Sequence, residues 1–184
     1  MLNQRRVVID FVSPQINNGE FFIKRVVNEI VNVGAHVLVD GHDVIGVSVL
    51  YKNERDSKWK EVRMQPTFND EWQASFVVEK QGFYTYKIEG WVDYSLNWQH
   101  GIERKIDDNQ HVNSELLEGI EFLKSVEKKA TKTEKEYLEK LSKLFTEANS
   151  YNESIKEAVS DKLHNIFLKY PAKVLANTSK DYKV

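Results

Sequence analysis

The sequence predicts an α+β protein, an immunoglobulin-like antiparallel β-sandwich followed by a small helical bundle. Apolar residues recur with a period of two before about residue 105, and with a helical period from about residue 113. Composition changes at the same place: all four Trp and seven of the eight Gly precede residue 105, whereas Lys, Glu and Leu dominate the later part. We therefore expect a sandwich over residues 1–108, a bundle over 109–175, and the start of a truncated segment over 176–184.

Alternating apolar residues predict the strands of the sandwich. The alternation runs from Val31 to Val39, stops at the polar residues 40–43, and resumes from Ile45 to Tyr51. This strand–turn–strand pattern is typical of a hairpin. Further strands are expected over 6–11, 59–64, 72–78 and 82–93, and a last one begins near Asp181. No amphipathic helix is evident before Asn113, and strands without intervening helices favour an antiparallel sandwich.

Three apolar stripes predict three helices in an up-down-up bundle. The stripes run from Leu116 to Val126, from Tyr137 to Ala148, and from Ile155 to Tyr170. Two segments have capping-box spacing, Thr133 to Glu136 and Ser150 to Glu153, and Pro171 is expected to end the third helix. Three helices make a thin core, so we expect the bundle to pack against the sandwich or against another chain.

Charge, hydropathy and cysteine content exclude several classes of protein. The net charge of −2 gives no basic field for nucleic acid. No apolar run approaches the roughly 20 residues that span a membrane, and residues 1–6 lack the apolar core of a signal peptide, so a cytoplasmic location is expected. The chain has no cysteine, which excludes disulfides, thiolate metal sites and thiol nucleophiles.

The sequence predicts no catalytic, cofactor-binding or metal-binding residue. The five His do not fall at metal-ligand spacing with one another or with acidic residues. His42 lies between Asp40 and Asp43, which we interpret as a polar hairpin turn rather than a metal site. No phosphate-binding loop or nucleophile elbow is present, and no pair among the 28 carboxylates stands out for glycoside chemistry.

The tryptophans are the remaining candidates for binding, because an aromatic plane matches the apolar face of a sugar ring. Trp72 lies on the apolar face of a predicted strand and is expected in the core. Trp91 and Trp98 flank a stretch of mixed polarity and are the candidate sugar-stacking residues. Packing in a core or an interface is the competing interpretation for both.

A series of motifs follows in order after the run from Arg6 to Pro14. These are Lys24-Arg25-Val26-Val27, Asp40-Gly41-His42-Asp43, Asn69-Asp70-Glu71-Trp72, Gly82-Phe83-Tyr84-Thr85-Tyr86 and Gly90-Trp91-Val92-Asp93, with Trp98 five residues later. The series resembles the N-terminal region of the α-1,4-glucan:maltose-1-phosphate maltosyltransferases, in the α-amylase superfamily. The stretch that opens at Asn113 resembles the helical segment that follows in that family.

The resemblance implies a longer cytoplasmic enzyme that transfers maltosyl units from maltose 1-phosphate to an α-1,4-glucan, with retention of configuration. The carboxylates for that reaction belong to a (β/α)₈ barrel, which needs roughly 250 residues and has no room here. No catalytic residue is therefore carried over. The implied partners are the barrel in cis and a second copy, since these regions look like homodimer-forming parts of the family.

Three functions are thus open at the level of sequence. The first is a non-catalytic fragment of a maltosyltransferase that serves domain packing and dimerisation. The helical region carries Tyr137, Tyr151 and Tyr170, a residue type that tolerates an interface. The alternative is a carbohydrate-binding module for α-glucan, and the third is an independent small enzyme.

Overall fold

Two antiparallel sheets and five helices make up the residues that the computed structural model describes, 6–147 and 149–184. Ala148, which the second stripe included, and residues 1–5 lie outside this range. The strands are β1 Val7–Ser13, β2 Ile30–Val39, β3 Ile45–Asn53, β4 Lys60–Arg63, β5 Gln65–Pro66, β6 Glu71–Val77, β7 Tyr84–Val92, β8 Asn177–Thr178 and β9 Tyr182–Lys183. The helices are α1 Tyr94–Asp107, α2 Asn113–Glu127, α3 Lys132–Leu144, α4 Tyr151–Ala158 and α5 Asp161–Lys169. The α+β, sandwich-like fold class is confirmed.

The described chain divides into two units. The first contains the residues up to Val92 together with Lys173–Val184, and the second contains Asp93–Ala172. The helices are thus inserted between two strands of the sandwich. This differs from the expected succession of domains with boundaries near 108 and 175.

The two sheets have the strand orders β1-β2-β6-β5 and β4-β3-β7-β8, with β9 also paired to β7. The alternating residues of β2 and β3 point into one core, where Val31, Val33, Val47 and Val49 are almost fully buried. The period-two prediction for these strands is confirmed. The predicted hairpin between β2 and β3 is wrong, because β2 pairs with β1 and β6, whereas β3 pairs with β4 and β7. Alternation fixes which face is buried but not the neighbouring strand, and here the turn carries the chain between sheets.

The C-terminal segment completes the second sheet. Asn177 and Thr178 pair with Gly90 and Glu89, and further along β7 Tyr182 pairs with Tyr86. The rings of Tyr182 and Tyr86 stack with centroids 5.3 Å apart. The strand predicted from residue 181 is therefore present as β9.

The prediction that no helix precedes Asn113 is wrong, because α1 begins at Tyr94. Its N-terminus is capped by Asp93, whose Oδ1 accepts the Leu96 N–H at 3.3 Å. Only Leu96, Trp98 and Ile102 form its buried apolar stripe, and polar residues separate them. The stripe is too sparse to produce a clear helical period.

The third predicted helix is in fact two helices. Val159 ends α4, and Ser160 adopts an extended conformation and caps α5 by accepting the Leu163 N–H. The capping box of α3 also lies two residues earlier than predicted, between Thr131 and Glu134. Ser150 does precede α4, but its hydroxyl donates to the carbonyls of residues 144 and 147, so no capping box forms there.

No helix among the described residues combines the length and the apolar character that crossing a membrane requires.

Candidate functional site

Trp91 lies on the outer face of the second sheet and is fully buried. The guanidinium of Arg63 lies 4.8 Å from its ring centre, and Lys173 Nζ lies 4.5 Å from it. Gly46, its register partner on β3, leaves space for the ring, since a Cβ on Gly46 would lie 2.4 Å from Trp91. The indole is therefore covered by packing.

Lys173 also organises the carboxylates near Trp91. Its Nζ lies 2.7 Å from Glu61 Oε1 and 2.6 Å from Glu89 Oε2, and the Ser48 hydroxyl donates to Glu61 at 2.7 Å. Burial opposes ionisation of Glu61, but the hydrogen bonds from Lys173 and Ser48 outweigh it and hold its pKa below the usual value. A carboxyl that acts as an acid in glycoside chemistry needs a raised pKa, so Glu61 is suited to an ion pair instead.

Trp98 lies at the centre of the helical unit and is 7% exposed. Its ring contacts three phenylalanines, with centroid distances of 6.1 to 6.3 Å to Phe122, Phe145 and Phe167. Its Nε1 donates to the Glu115 carbonyl at 2.7 Å. Neither Trp91 nor Trp98 offers an open ring face in the described residues, which favours core packing over sugar stacking at both positions.

No metal site is evident among the residues that the structure describes, where no group of three or more His, Asp or Glu side chains converges. The turn around His42 is held by Arg6, which pairs with Asp43 Oδ2 at 2.5 Å and donates to the Asp40 carbonyl at 2.8 Å. One acidic side chain of that turn is thus already bound to a cation.

A groove crosses the outer face of the first sheet. Its central row is Ser13, Gly34 and Gln73, which are register partners on β1, β2 and β6. On one side lies the pair Asn32 and Ser75. Two adjoining cavities of about 400 and 160 Å³ share the central row, and we call them together the outer-face groove.

Phe11 stands at one end of the outer-face groove. The register of β1 shifts between Asp10 and Ser13, and Phe11 has a φ of 45° within this bulge. Its ring is 70% exposed and meets the His36 ring edge-on at 5.3 Å. Sequence reasoning missed this residue, because Val7, Ile9 and Phe11 alternate as in a regular strand. Only the structure shows that the buried positions step from Val7 to Val12, an odd spacing that a regular strand does not allow.

The helical unit carries a cleft of about 470 Å³ of its own. It is lined by His111, Asn113, Leu116, Leu117, Phe145, Thr146, Glu147, Tyr151 and Ser154. Tyr151 accepts the Val112 N–H with its hydroxyl at 3.1 Å. The hydroxyls of Tyr137 and Tyr170 instead donate, to Glu157 and Glu134 of the same unit respectively. Burial raises the pKa of Tyr137 to about 12.

The sandwich carries most of the exposed large apolar side chains of the described residues. Ile30 and Val77 form a cross-strand pair on the outer face and are 55% and 39% exposed. Val26 is 71% exposed, and the exposed rings of Phe22 and Phe83 lie 4.9 Å apart. We call these five exposed residues, which include the neighbouring pairs Ile30–Val77 and Phe22–Phe83, the apolar patch. Contiguous exposed apolar groups mark interaction surfaces, whereas single ones are normal.

Comparison with known proteins gives a consistent result. A family model described as α-1,4-glucan:maltose-1-phosphate maltosyltransferase, domain N/S, matches residues 5–184. The chain is 38% identical over 120 residues to the α-1,4-glucan:maltose-1-phosphate maltosyltransferase of Methylacidiphilum infernorum, covering 65% of this chain and 18% of that protein. The proteins of the same name from Chlorobaculum tepidum and Salinibacter ruber are 40% identical over 116 residues and 32% identical over 148. These matches cover 63% and 79% of this chain, and 17% and 22% of the relatives. The matched part thus spans about a fifth of the length of these curated relatives.

Proposed function

The chain belongs to the domain N/S family of α-1,4-glucan:maltose-1-phosphate maltosyltransferases, and we propose that it is the non-catalytic N-terminal part of such an enzyme. The whole protein would transfer maltosyl units from maltose 1-phosphate to an α-1,4-glucan, the reaction that the relatives' name describes. This part would pack against the catalytic barrel and against a second copy. We also propose a cytoplasmic location, with which the lack of cysteine is compatible.

The observation that carries the proposal is the match of the family model to nearly the whole chain, while relatives are about five times longer than the matched part. The electrostatics support it. Retaining glycoside chemistry needs two carboxyls about 5–5.5 Å apart, one of them with a raised pKa. In the part of the chain that the structure describes, the carboxyl pKa values that depart from their usual range are all lowered, those of Asp56, Glu61, Glu115 and Glu134. Cation partners dominate or assist each shift, as expected for structural ion pairs.

An activity assay tests the catalytic half of the proposal. Purified chain is incubated with maltose 1-phosphate and maltohexaose, and phosphate release and chain length are followed. We expect no turnover above buffer, whereas the full-length relative from Chlorobaculum tepidum, assayed in parallel, should extend the acceptor. Phosphate release by the chain alone would overturn the proposal.

The proposed role in packing and dimerisation is supported by the apolar patch rather than by the apolar stripes of the helices. The hydroxyls of Tyr137, Tyr151 and Tyr170 already bond within the helical unit. The five side chains of the apolar patch, by contrast, are 39% to 71% exposed. Covering it would contribute about 25 cal/mol per Å² of apolar area removed from water.

Light scattering over a concentration series tests self-association, since a stable dimer buries on the order of 1,000 Å² or more. We expect the mass to rise from 21.5 kDa toward twice that value as concentration increases. Val26→Asp should keep the chain monomeric, while Val174→Asp, at a valine that is 54% exposed outside the apolar patch, should not. A mass that stays at 21.5 kDa at high micromolar concentration would contradict dimerisation through this part.

A further inference from the structure

We propose that the outer-face groove is a binding site for a neutral oligosaccharide, with Phe11 stacking against a sugar ring. The inference goes beyond the proposed function, which assigns no ligand to this chain, and it stands on the geometry of β1, β2 and β6 alone. Trp91 and Trp98, the candidates from sequence, have no part in it.

The shape of the groove depends on Gly34. The backbone there is not left-handed, so chain conformation does not demand glycine. A Cβ at this position would meet only Ser13 Oγ at 3.1 Å and the Trp72 carbonyl at 3.9 Å. Glycine inside a strand often marks a place where a ligand approaches the backbone closely. Because Gly34 has no side chain, the backbone forms the bottom of the groove between Asn32 and His36, the outward-facing residues on either side of Gly34 in β2.

The lining of the larger cavity is polar and uncharged. Its side-chain polar groups are the hydroxyls of Ser13 and Ser75 and the amides of Asn32 and Gln73. None of the four has a hydrogen-bond partner among the described residues. Amides and hydroxyls both donate and accept, as sugar hydroxyls do. The charged lining of the groove is confined to the smaller cavity, where Glu71 Oε1 lies 3.5 Å from His36 Nε2.

Phe11 supplies an aromatic surface beside these polar groups. A bulky residue with positive φ is uncommon, and such strain concentrates at ligand-binding positions. The bulge turns the ring outward next to the central row, where it lines the smaller cavity, and the edge contact with His36 orients it. An aromatic wall with a few convergent polar groups is the usual composition of a small-molecule site, and the combined volume lies in the usual range of about 300–1,000 Å³.

NMR titration of the full chain with maltoheptaose and with cellohexaose tests the proposal. We expect saturable shifts confined to β1, β2 and β6 with at least one of the two sugars. Phe11→Ala should weaken binding at least tenfold, and Gly34→Leu, which fills the floor, should abolish it. Phe68→Ala is the matched control, because Phe68 is 72% exposed and lies outside the groove, and it should bind as the parent does.

Three results would overturn the proposal. The first is no saturable shift with either sugar at millimolar concentration. The second is equal binding by the Phe11→Ala and Phe68→Ala variants. The third is a dimer that Gly34→Leu dissociates, which would make the groove a contact between two copies. Should Gly34→Leu fail to fold, Gln73→Ala provides the second arm, with an expected loss of severalfold in affinity.

Discussion

At the scale of single residues, two glycines in neighbouring helices lack a side chain for opposite reasons. A Cβ on Gly119 in α2 would lie 2.3 Å from Trp98 Cζ2, whereas a Cβ on Gly101 in α1 would meet nothing within 4 Å. Gly119→Ala should therefore destabilise the chain by about 1–3 kcal/mol through overpacking. Gly101→Ala should stabilise it by about 0.5–1 kcal/mol, because glycine disfavours a helix interior.

Urea denaturation of the two variants measures both effects on one scale. If Gly119→Ala raises the midpoint as Gly101→Ala does, Trp98 does not pack on α2 as described.

The same scale shows what residue patterns can and cannot predict. Trp72 was expected in the core from its period-two face, and it packs against the sandwich core. Trp98 lies on a helix whose sparse stripe gave no period, so its burial was not decided by pattern. Phe11 was missed because the bulge shows only in the structure, where the buried positions step from Val7 to Val12.

At the scale of elements, Glu134 joins the start of α3 to the end of α5. Its carboxylate accepts hydrogen bonds from the Thr131 N–H and hydroxyl at 2.9 and 2.6 Å, and from Lys169 and Tyr170 at 2.8 Å. The Lys169 hydrogen bond, followed by those from Thr131 and Tyr170, lowers the pKa of Glu134 from 4.5 to about 2. A lowered folded-state pKa stabilises the fold above the unfolded value, and this contribution is lost as pH falls through about 2.

Glu134→Gln should therefore lower Tm at neutral pH, and the gap to the parent should close between about pH 4.5 and pH 2. Thermal melts followed by circular dichroism across this range are the measurement. Glu136→Gln on the same helix is the control, since Glu136 has no partner among the described residues. A gap for Glu134→Gln that is constant with pH would show that its charge is not the stabilising feature.

The apolar stripes in the sequence were a better guide to the position of apolar helix faces than to the residues at which helices end. Residues 155 to 170 form one stripe, yet Ser160 starts a new helix within it. The available signal was local, a serine followed by Asp161 in the first turn, and the continuity of the stripe overrode it. The capping box was misplaced by two residues because Thr131 and Thr133 are both followed three positions later by Glu.

At the scale of the whole molecule, the insertion of the helices between β7 and β8 was not predictable from local pattern. β8 is two residues long, and Asn177 and Thr178 have no apolar alternation to show. Their pairing with Gly90 and Glu89 joins segments separated by the entire helical unit. The period of the apolar residues and the composition could identify strands and helices. Neither of them indicates that two segments so far apart in sequence pair with each other.

This topology predicts that the sandwich folds without the helices. Lys173 lies beside Trp91 at the end of β7, so the chain leaves and re-enters the first unit at neighbouring places. A variant in which residues 93–172 are replaced by a short Gly/Ser linker should therefore keep β1 to β9 paired, as inserted domains usually allow. In urea, the parent should unfold in two transitions. The excised variant should retain one of them, with an m-value roughly 40% below the sum of the two parent m-values, in proportion to the chain removed. Dispersed amide resonances from β2, β3 and β7 would show that the sheets persist. If they collapse in the excised variant while Gly119→Ala, made in the intact chain, leaves them unchanged, the helical unit is required for the sandwich to form and the two units are not separate folding units.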